Sequence, residues 1–300
     1  MFSRVLRNFL KVVDMGSITA AADALNVSQP ALTKSIRKLE NDLGTKLFTR
    51  ISKGVQLNKA GEILEHHARV MENEYRHAIT RIGELSGAEH GRLRIGATPN
   101  WLVRILPPVV AEFQKTYPDI RMILVGGVID TLVPALVSGD LDLICISLDF
   151  PDRSELTKIP LFKMDHIIVS DASHPLASQG NVSAIDLAPQ RWLALKDDFV
   201  GTHRISAFFA TFGLKPPKIS LETTSINSLL ETLRGGNYVA HIPDQMLELA
   251  QQKGLVKIDF NGTLWQSNAG LAIRSFTKPS RALTGFMECV KSATAKYSER

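Results

Sequence analysis

Residues 19–40 constrain this chain more than any other stretch: Thr-Ala-Ala-Ala-Asp-Ala-Leu-Asn-Val-Ser-Gln-Pro-Ala-Leu-Thr-Lys-Ser-Ile-Arg-Lys-Leu-Glu. Small and apolar side chains recur at helical spacing on both sides of Asn26-Val27, which read as a tight turn. Ser28 is an N-cap, and Pro30 falls in the first turn, where a missing N–H removes no hydrogen bond. The second helix, 28–43, ends at Gly44 and turns Gln29, Thr33, Lys34 and Arg37 outward. This is the layout of a helix-turn-helix that lays its second helix in a DNA groove.

The flanks extend that unit. Apolar positions from Val5 to Val13 predict a first helix over 4–14, closed by Gly16, with Ser17 or Thr19 capping the next. Leu47-Phe48-Thr49-Arg50 and Val55-Gln56-Leu57, joined through Ser52-Lys53-Gly54, predict a hairpin wing with a basic tip. Residues 1–60 hold ten Lys or Arg against four acids, a net +6, while the whole chain carries +5. The basic excess is therefore confined to one end, as a nucleic-acid footprint would be.

Asn58 caps a long helix whose Leu64, Ala68, Met71, Tyr75, Ala78, Ile82 and Leu85 are spaced alternately by four and three. One helix cannot bury such a heptad seam alone, so these seven residues are candidates for dimerisation. Ser86-Gly87-Ala88-Glu89-His90-Gly91 reads as a linker. Beyond it the pattern changes to alternating strands and helices, which argues an α/β fold with a mainly parallel sheet covered on both faces. The expected domains are 1–60, a winged helix-turn-helix; 61–90, a dimerising linker helix and hinge; and 91–300, a larger α/β domain.

Several function classes are excluded. No Gly-x-Ser-x-Gly elbow, P-loop, dinucleotide glycine fingerprint or His-Glu-x-x-His occurs, so no enzyme is expected and no catalytic residue, metal site or cofactor is assigned. His66 and His67 stand on the linker helix without a matching ligand set. The two cysteines, Cys145 and Cys289, lie far apart in apolar stretches and predict no disulfide. No apolar run reaches the ~18–20 residues that span a bilayer, and the N-terminus reads as a charged amphipathic helix, so the expected location is the cytoplasm. A solute-binding transport protein is disfavoured by the fused DNA head, and a purely architectural DNA binder by the large α/β part.

The residues also carry a resemblance. Phe9, Gly16-Ser17, Ala21-Ala22, Leu25, Ser28-Gln29-Pro30-Ala31-Leu32-Thr33, Ile36, Leu39-Glu40, Leu43-Gly44, Leu47-Phe48, Arg50, Leu57 and Ala60-Gly61 are similar, in one ungapped register, to the N-terminal signature of LysR-type transcriptional regulators. Arg94-Ile95-Gly96, Leu106-Pro107, Tyr117-Pro118, Gly139-Asp140-Leu141-Asp142-Leu143, His174-Pro175 and the run 235–243 resemble that family's effector domain more loosely. Asn58 stands where the family usually has Thr, and both are competent N-caps. The resemblance implies an α/β protein with an N-terminal winged helix-turn-helix, a long linker helix and a C-terminal two-subdomain effector-binding domain resembling periplasmic binding proteins, which makes 91–300 the effector-binding domain, with subdomain I at about 91–162 and 268–300 and subdomain II at about 163–267. It also implies double-stranded DNA, a small-molecule effector, a second copy of the chain (homodimer or homotetramer) and RNA polymerase as partners.

Roles then follow by chemistry. Gln29 can bond adenine bidentately, and Lys34 or Arg37 can address guanine or phosphate; Pro30 offers an apolar surface to a thymine methyl. Ser17, Thr19, Ser28, Thr33, Arg50 and Lys53 complete the DNA-binding set, mostly as backbone contacts that fix register. For the effector, Thr98, Asn100 and Trp101 follow a strand end, where a helix N-terminus favours anions. Gly127, Ser147, Thr202, His203, Thr224 and Ser225 occupy other strand ends and loops, where open α/β sheets bind ligands. Hydroxyls and helix N-termini around a cleft point to a small organic or aromatic acid.

Overall fold

The computed structural model describes residues 3–85, 91–262, 264–276 and 278–298. Met1, Phe2 and the expected linker residues 86–90 lie outside the described residues, as does the side chain of Leu85. The chain forms two compact units, Met1–Ala88 with Ser138–Asp140, and Glu89–Val137 with Leu141–Arg300.

In the first unit, α1 (Arg4–Met15) ends at Gly16, whose φ of +60° turns the chain left-handedly. Ser17 caps α2 (Ile18–Ala24) by accepting from Ala20 N–H, and Ser28 caps α3 (Gln29–Asp42) by accepting from Ala31 N–H. Between them Asn26 adopts φ +53°, a conformation that Asn tolerates better than most residues. The wing is the antiparallel pair β1 (Phe48–Ile51) and β2 (Gly54–Leu57), with Phe48 opposite Leu57. It is tied to the helices by Val55 N–H donating to the Gly16 carbonyl at 2.9 Å. That approach requires glycine at Gly54, where φ is +140° and a Cβ would lie 2.2 Å from the same carbonyl oxygen. Asn58 caps α4 (Lys59–Leu85) by accepting from Gly61 N–H at 2.9 Å. Phe9, Leu10, Val12, Ala21, Ala22, Leu32, Ile36, Leu39, Leu47 and Ala68 form one buried core.

The second unit contains β3 (Arg92–Ala97), a wide helical turn at Trp101–Ile105, α5 (Leu106–Thr116), β4 (Arg121–Gly126), α6 (Ile129–Val137) and β5 (Leu143–Ser147). The 16-residue β6 (Leu156–Asp171) follows, then α7 (Ala184–Leu187), β7 (Arg191–Leu195), α8 (Phe199–Thr211), β8 (Lys218–Thr223), α9 (Ile226–Leu233) and β9 (Val239–Pro243). The chain closes with α10 (Leu247–Gln252), β10 (Leu255–Lys257), β11 (Gln266–Arg274) and α11 (Arg281–Ser298). The strands form one sheet ordered β4-β3-β5-β11-β6-β9-β7-β8, with β10 also on β6.

This sheet corrects the expectation of a mainly parallel one. β3 runs parallel to β4 and β5, and β7 runs parallel to β8 and β9, but β6 and β11 pair antiparallel with each other and with their other neighbours. The two parallel halves are thus joined by an antiparallel centre. In the sequence only 167–170 reads as a strand here, because Pro160 and alternating polar residues mask the rest. The register shifts by one where Ala269 faces Phe162 and Gly270 faces Pro160, so that Leu161 of β6 is the bulged residue beside Pro160, and a Cβ on Gly270 would lie 2.3 Å from the Ile159 carbonyl oxygen. Strand β6 pairs with β11 up to Asp165, opposite Gln266, and with β9 from His166, opposite Pro243. His166 therefore stands where the strand passes from one half to the other.

Candidate DNA-reading face and effector cavity

On α3 the side chains of Gln29, Pro30, Lys34 and Arg37 are exposed and Thr33 is half-buried. Gln29 Nε2 donates to Thr33 Oγ1 at 3.2 Å, which pre-orients the amide one turn along the helix. Lys34 and Arg37 share a groove between α1 and α3 with Arg4 and Lys38. Thr19 is exposed at the start of α2, Arg50 on β1 and Lys53 at the wing tip. The hydroxyls of Ser17 and Ser28 serve as caps, which fixes the two helices of the motif. One residue without an assigned role from sequence proves structural: Glu40 is buried, and its carboxylate accepts from Leu47 N–H at 3.0 Å and Lys46 Nζ at 2.9 Å. It holds the wing against α3.

The heptad seam on α4 divides in two. Ala68 is fully buried and Leu64 is packed against the winged-helix core. Met71, Tyr75, Ala78 and Ile82 are exposed. Ile63 and Ile79 add further exposed apolar area off the seam.

In the second unit a cavity of about 110 Å³ opens where β3, β5, β7 and β9 end. Thr98, Asn100 and Ser147 line it, together with Met164, Leu193, Ile226, Leu229, Ile242 and Met246. The carboxyl ends of parallel strands leave such a crevice because the following loops diverge to opposite faces. Gly127, Thr224 and Ser225 line an adjoining recess of about 500 Å³ that shares Pro99, Val128, Leu195 and Ile226 with the first. Trp101 is fully buried in the core beneath α5 and α11. Thr202 donates its hydroxyl to the Asp198 carbonyl at 2.8 Å within α8, and His203 is exposed on that helix.

The cavity is richest in residues that sequence reading passed over. His166, His241 and Trp265 meet in it, with His166 stacked on Trp265 at 4.9 Å between centroids, His241 at 5.1 Å from Trp265, and the two imidazoles 5.6 Å apart. His166 Nε2 bonds Ser267 Oγ at 3.1 Å. The Nδ1 atoms of both histidines, Trp265 Nε1 and Asn100 Oδ1 are buried without a hydrogen-bond partner. Burial, reinforced by His241 and Arg204, holds the His166 imidazole well below its ordinary range, and burial alone lowers His241 to about 4. Arg204 is paired with Asp149 at 2.9 Å, and Asp149 also accepts from Ser147 Oγ. Asp198 caps α8 by accepting from Gly201 N–H at 3.0 Å, while Asp130 accepts from Val200 N–H at 3.2 Å. Burial raises the Asp198 carboxyl above the usual range, and the charge of Asp130 adds to this. The only sequence signal for the histidines was their place in apolar strands, a pattern shared with ordinary core residues.

A winged helix-turn-helix on one unit and a ligand-sized cavity at strand ends on the other define a DNA-binding regulator with a sensory domain. Residues 3–62 match the bacterial regulatory helix-turn-helix protein of the lysR family, and 86–295 match the LysR substrate binding domain. This chain belongs to the LysR family of transcriptional regulators. It is 30% identical over 254 residues to the HTH-type transcriptional regulator CysB of Burkholderia cenocepacia, covering 84% of this chain and 80% of that one. It is 28% identical over 309 residues to PcaQ of Agrobacterium fabrum, covering 98% and 95%. The fold is similar to that of CbnR, a LysR family regulator, at a TM-score of 0.68 with 21% identity over 97% of this chain and 98% of that one. A full-length OxyR from Pseudomonas aeruginosa gives 0.68 with 20% identity over 99% and 97%. Among the described residues no helix is long and apolar enough to cross a membrane.

Proposed function

We propose that this regulator binds its DNA as an assembly of two or four copies joined through the upper part of α4, and that a small organic acid in the strand-end cavity modulates DNA binding or promoter activation. Gln29, Lys34 and Arg37 are the base-reading candidates, and Ser17, Thr19, Ser28, Thr33, Arg50 and Lys53 fix register on the phosphates. The exposed seam of Met71, Tyr75, Ala78 and Ile82 supports self-association, and RNA polymerase is a further partner where the protein activates. The cytoplasm is the compartment where DNA and polymerase are available.

One observation carries the effector reading. Buried polar atoms normally have partners, yet four of them stand unpaired around one cavity. Such a cost is tolerated where a ligand supplies the missing bonds. Thr98, Asn100 and Ser147 form one wall of this site, while Gly127, Thr224 and Ser225 line its approach; Trp101, Thr202 and His203 support the wall or flank it. Titration calorimetry against small carboxylates, sugars and amines tests the ligand class, and binding confined to sugars or amines would refute it. Footprinting with and without the bound acid tests the coupling. By linkage, the factor by which the acid changes DNA affinity equals the factor by which DNA changes acid affinity.

A further inference from the structure

We infer that the ligand of this cavity is a small carboxylate that enters together with one proton, and that the neighbouring imidazoles of His166 and His241 are where the proton goes. The inference rests on the reading of the cavity as the effector site and specifies what that site selects. Three of its four unpaired polar atoms belong to groups that donate or can donate: Trp265 Nε1–H, which is a donor only, and the Nδ1 atoms of His166 and His241. The one unpaired acceptor is Asn100 Oδ1. The complement is a ligand with more acceptors than donors. At about 110 Å³ the space is smaller than a cavity of roughly 150 Å³ that takes a benzene ring, so the ligand is small.

Charge decides the rest. An anion in an apolar cavity needs a compensating positive charge. Among the described lining residues the guanidinium of Arg204 is already paired with Asp149, and the remaining charged group is Asp198, which repels an anion. The first turn of α8 supplies no net positive charge, because the carboxylates of Asp130 and Asp198 already take its Val200 and Gly201 N–H groups. Imidazole is the one lining side chain that can become positive near neutral pH. His166 comes from β6, His241 from β9, and Trp265 stacks on His166 and lies tilted against His241; Arg204 on α8 and the two imidazoles themselves are the charged or titratable groups that perturb them. Burial favours the neutral form of both rings, and Arg204 opposes protonation of His166. A carboxylate beside them reverses that balance for one ring, since two adjacent imidazolium ions would repel.

The position of the pair also matters to regulation. His166 lies where β6 leaves β11 for β9, so a charge created there acts on the strand that joins the two halves of the sheet.

The test uses the full-length protein and acid–amide pairs of matched shape: acetate with acetamide, pyruvate with pyruvamide, and lactate with lactamide. Calorimetry of the binding acid at pH 6.5 in buffers of different ionisation enthalpy should report uptake of close to one proton. Its affinity should fall towards tenfold per pH unit from pH 5.5 upward, until the complex itself loses the proton. The matching amide should bind more weakly than the acid and without pH dependence. In the double variant His166→Gln/His241→Asn the uptake should vanish, and at pH 6 acid affinity should fall at least tenfold more than amide affinity does. Where that variant is unfolded by thermal melt, nitrogen-15 spectra of histidine-labelled wild type should show one imidazole gaining a proton as acid is added. Acid binding without proton uptake, uptake retained in a folded double variant, or amides bound as tightly as acids would each overturn the inference while leaving the effector site in place. Failure of every probe, acid and amide alike, would remove the effector-site reading and this inference with it.

Discussion

At the scale of single residues, roles follow from what each side chain is already bonded to. Ser17 and Ser28 accept with their hydroxyl oxygens as helix caps, which leaves each hydroxyl hydrogen to donate to the phosphate contact proposed for it. Gln29 keeps its carbonyl oxygen and one amide hydrogen beyond its bond to Thr33, which is what reading an adenine edge requires. Gln29→Ala should lose about 1–3 kcal/mol on the duplex that the protein selects from a random pool and almost nothing on scrambled DNA. Fluorescence anisotropy on both duplexes measures this, and equal losses would class Gln29 with the phosphate contacts. The cysteines give a second residue-scale test. Cys145 is fully buried on β5 and burial pushes its thiol up; Cys289 on α11 is half-buried, with its thiol raised by burial and then by Glu112. A thiol reagent at pH 8 should label Cys289 slowly and Cys145 only after urea unfolds the protein.

At the scale of elements, α4 illustrates a pattern that one helix applies to two tasks. Its heptad spacing was plain in the sequence, but spacing does not say what the seam meets. Ala68 packs into the winged-helix core, whereas Met71 is 44% exposed three residues later. Ala68→Leu should therefore destabilise the DNA-binding unit by about 1–3 kcal/mol through overpacking, read by urea unfolding. Met71→Arg should leave that stability within about 0.5 kcal/mol and shift the assembly towards monomer in sedimentation velocity. A monomeric wild-type protein, or an unchanged assembly in Met71→Arg together with Ile79→Arg, would contradict joining through this face. The central strands teach the reverse lesson. Strand β6 was mostly illegible because Pro160 interrupts it; the fold accommodates the proline beside a bulge at Leu161, on a stretch where β6 pairs with β11 and its pairing with β9 has not yet begun.

At the scale of the whole molecule, the interior of the cavity links stability to pH. The His241 imidazole is held at about 4 by burial, against an ordinary value near 6.5 in an unfolded chain. Between those values the unfolded chain binds a proton that the folded one does not, so stability is fully present above about pH 6.5 and falls as pH drops towards 4. The loss from this group reaches roughly 3 kcal/mol, and His166 acts in the same direction. Thermal melts of the ligand-free protein should fall between pH 7.5 and 5, and His241→Asn should flatten that slope. A slope unchanged in the variant would assign the effect elsewhere.

The sequence by itself determined the winged helix-turn-helix, because every signal in it is local: caps at Ser17, Ser28 and Asn58, glycines at turns, apolar residues three and four apart. It also marked Thr98, Asn100 and Ser147, since strand ends can be read from periodicity. Only the tertiary structure decided what the strand-end cavity is made of. His166, Trp265 and His241 stand on three segments separated by up to 99 residues, and none carries a local pattern that distinguishes it from core. Their meeting depends on the antiparallel pairing of β6 with β9 and β11, a long-range choice that hydrophobic periodicity does not encode. The charge balance is likewise tertiary: Arg204 is a free cation in the sequence and an Asp149 partner in the fold.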